Sequence, residues 1–472
     1  MSQVPQAVFR AYDVRGIVGR DIDASFAKLL GRAIGTTARR QGRSSLTVGR
    51  DCRTHSPDLH SGLVTGLRST GINVIDLGVV PTPLVYFSTF YLENEVQGGI
   101  MITGSHNPKE FNGFKICLGQ TSIHGTEIQA LRHLIEADDF EVGEGSYSAR
   151  PIVEDYIEWV ANNITLERND LRVVVDAGNG TAGPVIVPLL KKLGVEVIEL
   201  YCDMDGNFPN HHPDPTKTEN LLELIDAVKA NDADAGIAYD GDSDRIGVVD
   251  NEGSILWGDR LLILLSRQLL ALEPGAAIVG EVKCSQTLFD DIASHGGRPI
   301  LARVGHSLIK ARMKEEAALL AGEMSGHIFF KHRYFGYDDA IYTTGRVLEV
   351  LAANDRPLSD LMSNVPKTHV TPELRTDCPD AIKFDVVTDC VNWFKRVLRE
   401  QQHIDPTPVD TIDIDGIRVI FEDGWGLVRA SNTQPVLVLR CEATTADRLA
   451  AIKGLLDSVV ESAIQNRSGK NA

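Results

Sequence analysis

The 472-residue sequence has no CxxC pair, no long apolar run and no surplus of positive charge, and each absence removes a class of protein. Its seven cysteines, at 52, 117, 202, 284, 378, 390 and 441, are odd in number and scattered. That excludes a disulfide framework and a cysteine zinc site, and leaves reduced thiols in a reducing compartment. The densest apolar run, LLILL at 261–265, is too short to span a bilayer, and the start MSQVPQAVFRAYDVRG has no basic segment followed by an apolar one. The expectation is a cytoplasmic protein that engages no membrane. Lys plus Arg number 47 against 65 Asp plus Glu, a formal charge of −18, which disfavours nucleic acid as a partner. A phosphorylated ligand must then be held by a local cluster of cations.

What is present is ordinary globular composition, 43% hydrophobic and 24% charged, over a length that allows three or four domains. One grammar recurs. SSLTVGRDCRTHSPDLHSGLVTGLRSTGINVIDLG, from Ser44, reads as strand, loop, helix, Gly71 and a second strand at 72–77. LRVVVDAGNGTAGPVIVPLLKKLGVEVIEL, from Leu171, repeats that order with Gly194, and AAIVGEVKCSQTLFDDIASHGGRPILA, from Ala276, repeats it with Gly296 and Gly297. A βαβ unit restated at domain-sized intervals points to three α/β domains of similar build rather than one large sheet. After about residue 366 the pattern changes. TIDIDGIRVIFEDGWGLVRAS carries Asp415-Gly416 and Asp423-Gly424 turns between alternating runs, VLVLRCEA follows as a strand, and ADRLAAIKGLLDSVVESAI has helical spacing. The expected architecture is three α/β domains with mixed sheets (1–151, 152–254, 255–366) and a smaller α+β domain (367–472), around a central cleft.

DGDSDR places Asp240, Asp242 and Asp244 at alternate positions between two apolar runs. Carboxylates packed so tightly repel one another unless a cation sits among them, and hard oxygens select Mg²⁺ or a similar ion. An EF-hand loop is rejected, because its sixth and twelfth positions would be Arg245 and Asn251 rather than Gly and Glu. Arg245 adds a fixed cation for phosphoryl oxygens. The stretch TGSHNP sets Ser105 beside His106. A Ser/His hydrolase would need the imidazole to take the hydroxyl proton, but neighbours in an extended loop tend to point apart, and G-x-S-x-G is absent because position 107 is Asn. A serine activated by metal and cations fits better, with Lys115 as a further cation, or as a proton acceptor if Arg and Mg²⁺ depress its pKa. GEMSGH supplies Glu323, Ser325 and His327, suited to sugar hydroxyls, and RASNT supplies Arg429, Ser431, Asn432 and Thr433 in a turn that can nest an anion. An ordinary polar turn remains the alternative for each of these two loops.

TGSHNP, DGDSDR, GEMSGH and RASNT, in this order, together with FRAYDVRG at 9–16, resemble the α-D-phosphohexomutase superfamily, most nearly the bacterial phosphomannomutase/phosphoglucomutase enzymes. The resemblance implies a phosphoserine at Ser105, with Asp240, Asp242, Asp244 and a phosphoryl oxygen on Ser105 binding Mg²⁺. It implies Glu323 and Ser325 on the sugar's 3- and 4-hydroxyls. Arg429, Ser431, Asn432 and Thr433 would grip the non-reacting phosphate, with Tyr12, Arg15, Lys283 and His306 as further substrate contacts. Asn107, Lys115, Arg245 and His327 would surround the transferred group, Lys115 or His327 moving the hydroxyl proton, with His106 in support. The family's metal loop commonly has Gly where Ser243 stands, which alters no carboxylate. Met324 stands where aminosugar mutases more often carry Gln, so the loop leans toward glucose and mannose phosphates.

The implied reaction interconverts hexose 1-phosphate and hexose 6-phosphate through a hexose 1,6-bisphosphate, which also serves as activator, in a monomeric enzyme whose partners are phosphorylated hexoses. The rivals are a phosphoglucosamine mutase, a phosphoserine-dependent sugar-phosphate phosphatase and a non-catalytic metal- or sugar-binding protein.

Overall fold

The computed structural model describes residues 4–431 and 434–468 and contains four separate sheets. The first three are built on one plan. Strand Ser45–Arg50 pairs in parallel with Asn73–Val79 on one side and Gly98–Ile102 on the other, and Gly98–Ile102 then pairs antiparallel with Phe111–Leu118. Strand Arg172–Asp176 lies parallel to Glu196–Leu200 and Ala235–Tyr239, and Ala235–Tyr239 pairs antiparallel with Ile246–Asp250. Strand Ala277–Glu281 lies parallel to Arg298–Ala302 and Leu320–Gly322, and Leu320–Gly322 pairs antiparallel with Ile328–Phe330. The helices Ser56–Arg68, Gly183–Lys192 and Gln286–Ser294 make the parallel crossovers, as the repeated sequence grammar requires. The central strands read as unbroken apolar runs because both faces are covered; Ala235–Tyr239 and Gly98–Ile102 are buried at every position.

This plan decides where the chemistry goes. In each domain the loop between the last parallel strand and its antiparallel neighbour carries one motif: Ser105 between Ile102 and Phe111, the three aspartates between Tyr239 and Ile246, and Glu323 to His327 between Gly322 and Ile328. Three copies of one structural loop thus carry the three different motifs.

The fourth sheet is a meander of Pro408–Ile412, Ile417–Phe421, Gly424–Ala430 and Val436–Ala443, edged by Leu374–Asp377 and His369–Val370 and backed by helices Lys383–Arg399 and Ala446–Ser468. The turns at Asp415-Gly416 and Asp423-Gly424 connect its strands as the sequence predicts. One apolar core runs through the first three domains, joining Phe87 from the helix Thr82–Tyr91, Tyr156 and Val175 from the second, and Leu262 and Ile341 from the third. The fourth domain has its own core around Val386, Phe394, Leu439 and Leu456, and among the described residues a small cluster of Val282, Trp425 and Leu427, with Leu301, Val304 and Ile420 packed on it, bridges it to the third. Among the described residues no helix is long and apolar enough to cross a membrane.

Candidate active site

Ser105 is buried in the first domain's loop, in the left-handed region at φ 49°. Its amide is fixed by Thr103, whose Oγ1 accepts from Ser105 N at 2.8 Å, and Asn107 closes the turn by donating from Nδ2 to the Gly104 carbonyl at 2.9 Å. Ser105 Oγ donates to Asp240 Oδ2 at 2.8 Å, across 135 residues and a domain boundary. The expectation that Ser105 and His106 point apart is corrected: the left-handed turn brings Ser105 Oγ within 3.0 Å of His106 Nδ1. A hydroxyl has one proton, so with that proton on the Asp240 carboxylate the imidazole is the donor and not a base. Burial and then the charges of Arg245 and Arg15 push His106 far below its ordinary pKa, which keeps it neutral.

Asp240, Asp242 and Asp244 are all completely buried, with one oxygen from each within 4.8 Å of the others. Asp242 Oδ1 and Asp244 Oδ1 have no hydrogen-bond partner, and burial plus repulsion from its two neighbours drives Asp240 well above the usual carboxylate range. Hard, orphaned oxygens that resist sharing a space are what a divalent cation relieves, so the donor set fits Mg²⁺. Thr82, from the first domain, donates to Asp242 Oδ2 at 2.5 Å, and Lys115 Nζ bridges Asp242, at 2.7 Å, and Asp244. Burial opposes the charge on Lys115, but the carboxylates of Asp242 and Asp244 outweigh it and raise its pKa. With Lys115 itself as the cation among the carboxylates, the lysine is held in its charged form; the depression considered from sequence invokes Mg²⁺ at that same trio.

Arg245 Nε donates to His327 Nε2 at 2.9 Å, and His327 Nδ1 donates to the Asp244 carbonyl at 3.1 Å. That pair of bonds selects the Nδ1–H tautomer. Sequence reasoning missed the group behind it. Asp338, buried in YDDA, lies 3.0 Å from His327 Nδ1, 3.2 Å from Lys310 Nζ and 3.9 Å from His306 Nδ1. The one available signal was a pair of acids just ahead of a helical run.

A second group of predicted residues gathers around the third and fourth domains. Glu323 accepts from Gly305 N at 2.7 Å and from Ser325 Oγ at 3.1 Å. Gly305, at φ 131°, leaves room for Tyr12 from the first domain: a Cβ there would lie 2.6 Å from the Tyr12 ring, whose hydroxyl donates to the Val304 carbonyl at 2.8 Å. His306 stands edge-on to that ring at 6.2 Å. Arg15 donates to Asp13 at 2.5 Å. Lys283 reaches Glu373 of the fourth domain at 3.2 Å, and Arg429 donates to Asp415 Oδ2 at 3.0 Å, an oxygen that also accepts from Val304 N at 3.1 Å. Glu373 and Asp415 are two more partners that the sequence reading missed. The Ser431 carbonyl accepts from Lys383 Nζ at 2.6 Å. Asn432 and Thr433 lie outside the described residues. The two groups sense each other, for Arg245 feels the Glu323 carboxylate and Lys283 feels both Glu323 and Arg429.

A serine over a carboxylate trio, beside the buried Lys115 and the half-buried Arg245, suits phosphoryl transfer, and the comparisons with known proteins name its family. Four consecutive models match: phosphoglucomutase/phosphomannomutase alpha/beta/alpha domains I, II and III at residues 6–142, 154–253 and 257–369, and the family's C-terminal domain at 378–458. The chain belongs to the phosphoglucomutase/phosphomannomutase family. It is thus a mutase, an intramolecular phosphotransferase. It is 46% identical to the phosphomannomutase/phosphoglucomutase of Pseudomonas aeruginosa PAO1 over 95% of this chain and 94% of that one, and 43% identical to a Neisseria meningitidis phosphoglucomutase over 98% of each. A solved phosphoglucomutase/phosphomannomutase family protein from Burkholderia thailandensis superposes with a TM-score of 0.90 at 43% identity, covering 98% of both chains.

Proposed function

We propose that this mutase interconverts the 1- and 6-phosphates of glucose and mannose through a phosphate carried on Ser105 and a hexose 1,6-bisphosphate intermediate. The observation that carries the reading is the buried 2.8 Å contact between Ser105 Oγ and Asp240 Oδ2, which joins the serine to the acidic trio from a different domain. Asp240, Asp242 and Asp244 would hold Mg²⁺ together with an oxygen of phosphorylated Ser105. Bound there, the ion supplies charge neutralisation for the phosphoryl oxygens.

The chain's own residues supply the rest. Lys115 and Arg245, fixed by the carboxylates and by His327, present positive charge where the transferred group passes. His327, freed from Arg245 when a substrate phosphate engages the guanidinium, offers Nε2 to the attacking hydroxyl while Nδ1–H stays on the Asp244 carbonyl. Glu323 and Ser325 bind the sugar's 3- and 4-hydroxyls, and Tyr12, Arg15, Lys283 and His306 complete the cleft wall. Arg429, Ser431, Asn432 and Thr433 hold the non-reacting phosphate, and because each phosphate occupies that grip in turn, the intermediate must reorient between the two transfers. Recognition at carbons 3 and 4 leaves carbon 2 unread, so glucose and mannose are both substrates. The same reading takes domain limits near 151, 254 and 366, supported by one sheet per span apart from the edge strand Ile255–Leu256, which joins the second sheet from just past 254, and it takes the protein to be a monomer, in the cytoplasm as its seven free thiols favour.

A coupled assay on glucose 1-phosphate and mannose 1-phosphate, with Mg²⁺ and a trace of glucose 1,6-bisphosphate, tests this. Turnover of both is expected, with Ser105→Ala inactive and one phosphate on the wild-type chain by intact mass. Release of inorganic phosphate faster than formation of the 6-phosphate, or full activity in Ser105→Ala, would sink the reading.

A further inference from the structure

The serine loop is built around one buried guanidinium. Arg53 follows the strand Ser45–Arg50 in the sequence GRDCR, and its side chain is 0% exposed. Its Nη2 donates to the carbonyls of Ser105 at 2.8 Å and Asn107 at 2.6 Å, and its Nη1 to those of Pro108 at 2.8 Å and Phe111 at 3.1 Å. Nε donates to Asp51 Oδ2 at 3.2 Å. A guanidinium has five N–H groups in a fixed plane, and all five are engaged. Asp51 completes the frame: its Oδ2 also accepts from Gly104 N at 3.0 Å, and its Oδ1 from Ser56 Oγ at 2.6 Å. Gly104 is glycine because the guanidinium lies against it; a Cβ would sit 2.4 Å from Arg53 Cζ. From the second domain the Phe208 ring closes over the guanidinium at 5.1 Å.

A buried charge is a poor space-filler, since an apolar side chain of the same volume would carry no desolvation penalty. What only Arg supplies here is four coplanar donors aimed at four backbone carbonyls of one turn. Ser105 sits in the left-handed region, which a non-glycine residue holds only where its surroundings over-determine it. With the Ser105 carbonyl on Arg53 and its amide on Thr103, the peptide groups on both sides of Cα are fixed, and so is the Cα–Cβ bond from which Oγ reaches Asp240.

We propose that Arg53, oriented by Asp51, is a positioning residue for phosphoryl transfer: it fixes the backbone of Ser105 so that the phosphate on Oγ faces the acidic trio. The inference rests on the phosphohexomutase reading. Arg53 touches neither substrate nor transferred phosphate, so its loss acts on transfer and leaves sugar binding in place. Lysine keeps the charge but offers three donors on a tetrahedral head and cannot span the four carbonyls.

The test compares Arg53→Lys and Gly104→Ala with wild-type full-length enzyme, after circular dichroism and melting establish how much of each is folded. Gly104→Ala displaces the guanidinium without removing it. The expected result for each, per folded molecule, is a kcat for glucose 1-phosphate lower by about 10²-fold with KM within about threefold, because a misplacement near 1 Å costs that much in transfer. Rephosphorylation of Ser105 by glucose 1,6-bisphosphate, followed by intact mass, slows in parallel. Either variant folded with wild-type kcat and rephosphorylation rate overturns the proposal. Should Arg53→Lys fail to fold, Gly104→Ala decides, and failure of both to fold overturns positioning in favour of a purely structural role. Wild-type enzyme that turns over no hexose phosphate refutes the phosphohexomutase reading instead, and this proposal with it.

Discussion

Asp339 ties the second and third domains together and predicts a specific dependence of stability on pH. It caps the helix Ala340–Ala352 by accepting from Tyr342 N at 2.8 Å, and its other oxygen accepts from Tyr334 OH at 2.6 Å and from Tyr156 OH, in the helix Val153–Asn163, at 2.8 Å. Burial pushes its carboxyl from 3.8 up to about 6, the three hydrogen bonds holding it from going further. A raised acid binds its proton more tightly in the folded chain than in the unfolded one. The stabilisation is complete below pH 3.8 and is lost as pH rises through 6. A shift of two units is worth about 3 kcal/mol, and with Asp339 1% exposed there is no solvent screening to discount. About 2 kcal/mol of that falls between pH 4.5 and 7.5.

Asp339→Asn is neutral at every pH and lacks this term. Its absolute stability depends on how the two tyrosine hydroxyls rearrange around an amide, so the quantity to measure is the difference between wild type and variant as a function of pH. Trp159 packs 5.4 Å from Tyr334 in the same aromatic cluster, so its fluorescence during urea unfolding reports on this junction. Relative to the variant, wild type should lose about 2 kcal/mol between pH 4.5 and 7.5, nearly all of it by pH 7. Parallel profiles would refute the assignment of a buried, shifted carboxyl.

Three further outcomes follow from the site. Thr82→Val deletes a 2.5 Å bond to Asp242, one of the carboxylates proposed to hold Mg²⁺, and should raise the Mg²⁺ concentration for half-maximal activity about tenfold, with activity recovered at saturation; an unchanged Mg²⁺ titration refutes the role. EDTA should lower the melting temperature and Mg²⁺ at about a hundred times its Kd should restore about 2.7 kcal/mol, a response abolished in Asp240→Asn; melting indifferent to Mg²⁺ would count against the trio as a metal site. Gly305→Ala forces a side chain into a φ of 131° and against the Tyr12 ring, so it should cost about 1–3 kcal/mol and raise KM for hexose phosphates; wild-type KM and stability would refute the contact between domains.

The repeated strand–helix–strand units were legible because each is local: Gly71, Gly194 and Gly296 punctuate periodic apolar runs. The hairpin that follows each unit was not seen as part of the repeat, because its strands are short and wholly buried, as Leu320–Gly322 and Ile328–Phe330 are, and so show no alternation. The gathering of the acidic trio was legible from spacing alone, since alternate positions in one short loop put the three carboxylates close together. The conformation of Ser105 was not. A left-handed φ at a serine is imposed by Arg53 and Asp51, which lie fifty residues upstream and carry no pattern linking them to TGSHNP. Asp338 and Asp415 were hidden for the same reason: what they do is decided by partners in other segments.

The distribution of cores bears on the proposal that the fourth domain carries the phosphate grip. Phe87, Tyr156 and Ile341 share one apolar core, so the loops carrying Ser105, the three aspartates and Glu323 cannot separate without exposing it. The fourth domain meets the third through three buried apolar side chains and a set of polar links, Asp415 to Val304 N, Lys283 to Glu373, and Arg418 to the carbonyls of Val282 and Cys284 at 2.7 and 2.8 Å. Polar links can be exchanged for water at little net cost, whereas a shared core cannot. A bisphosphate that must reorient between two transfers needs one phosphate site that can open while the transfer machinery stays rigid. Arg429 lies in the fourth domain, across this polar junction, whereas Ser105 and the three aspartates lie in the domains that share the core.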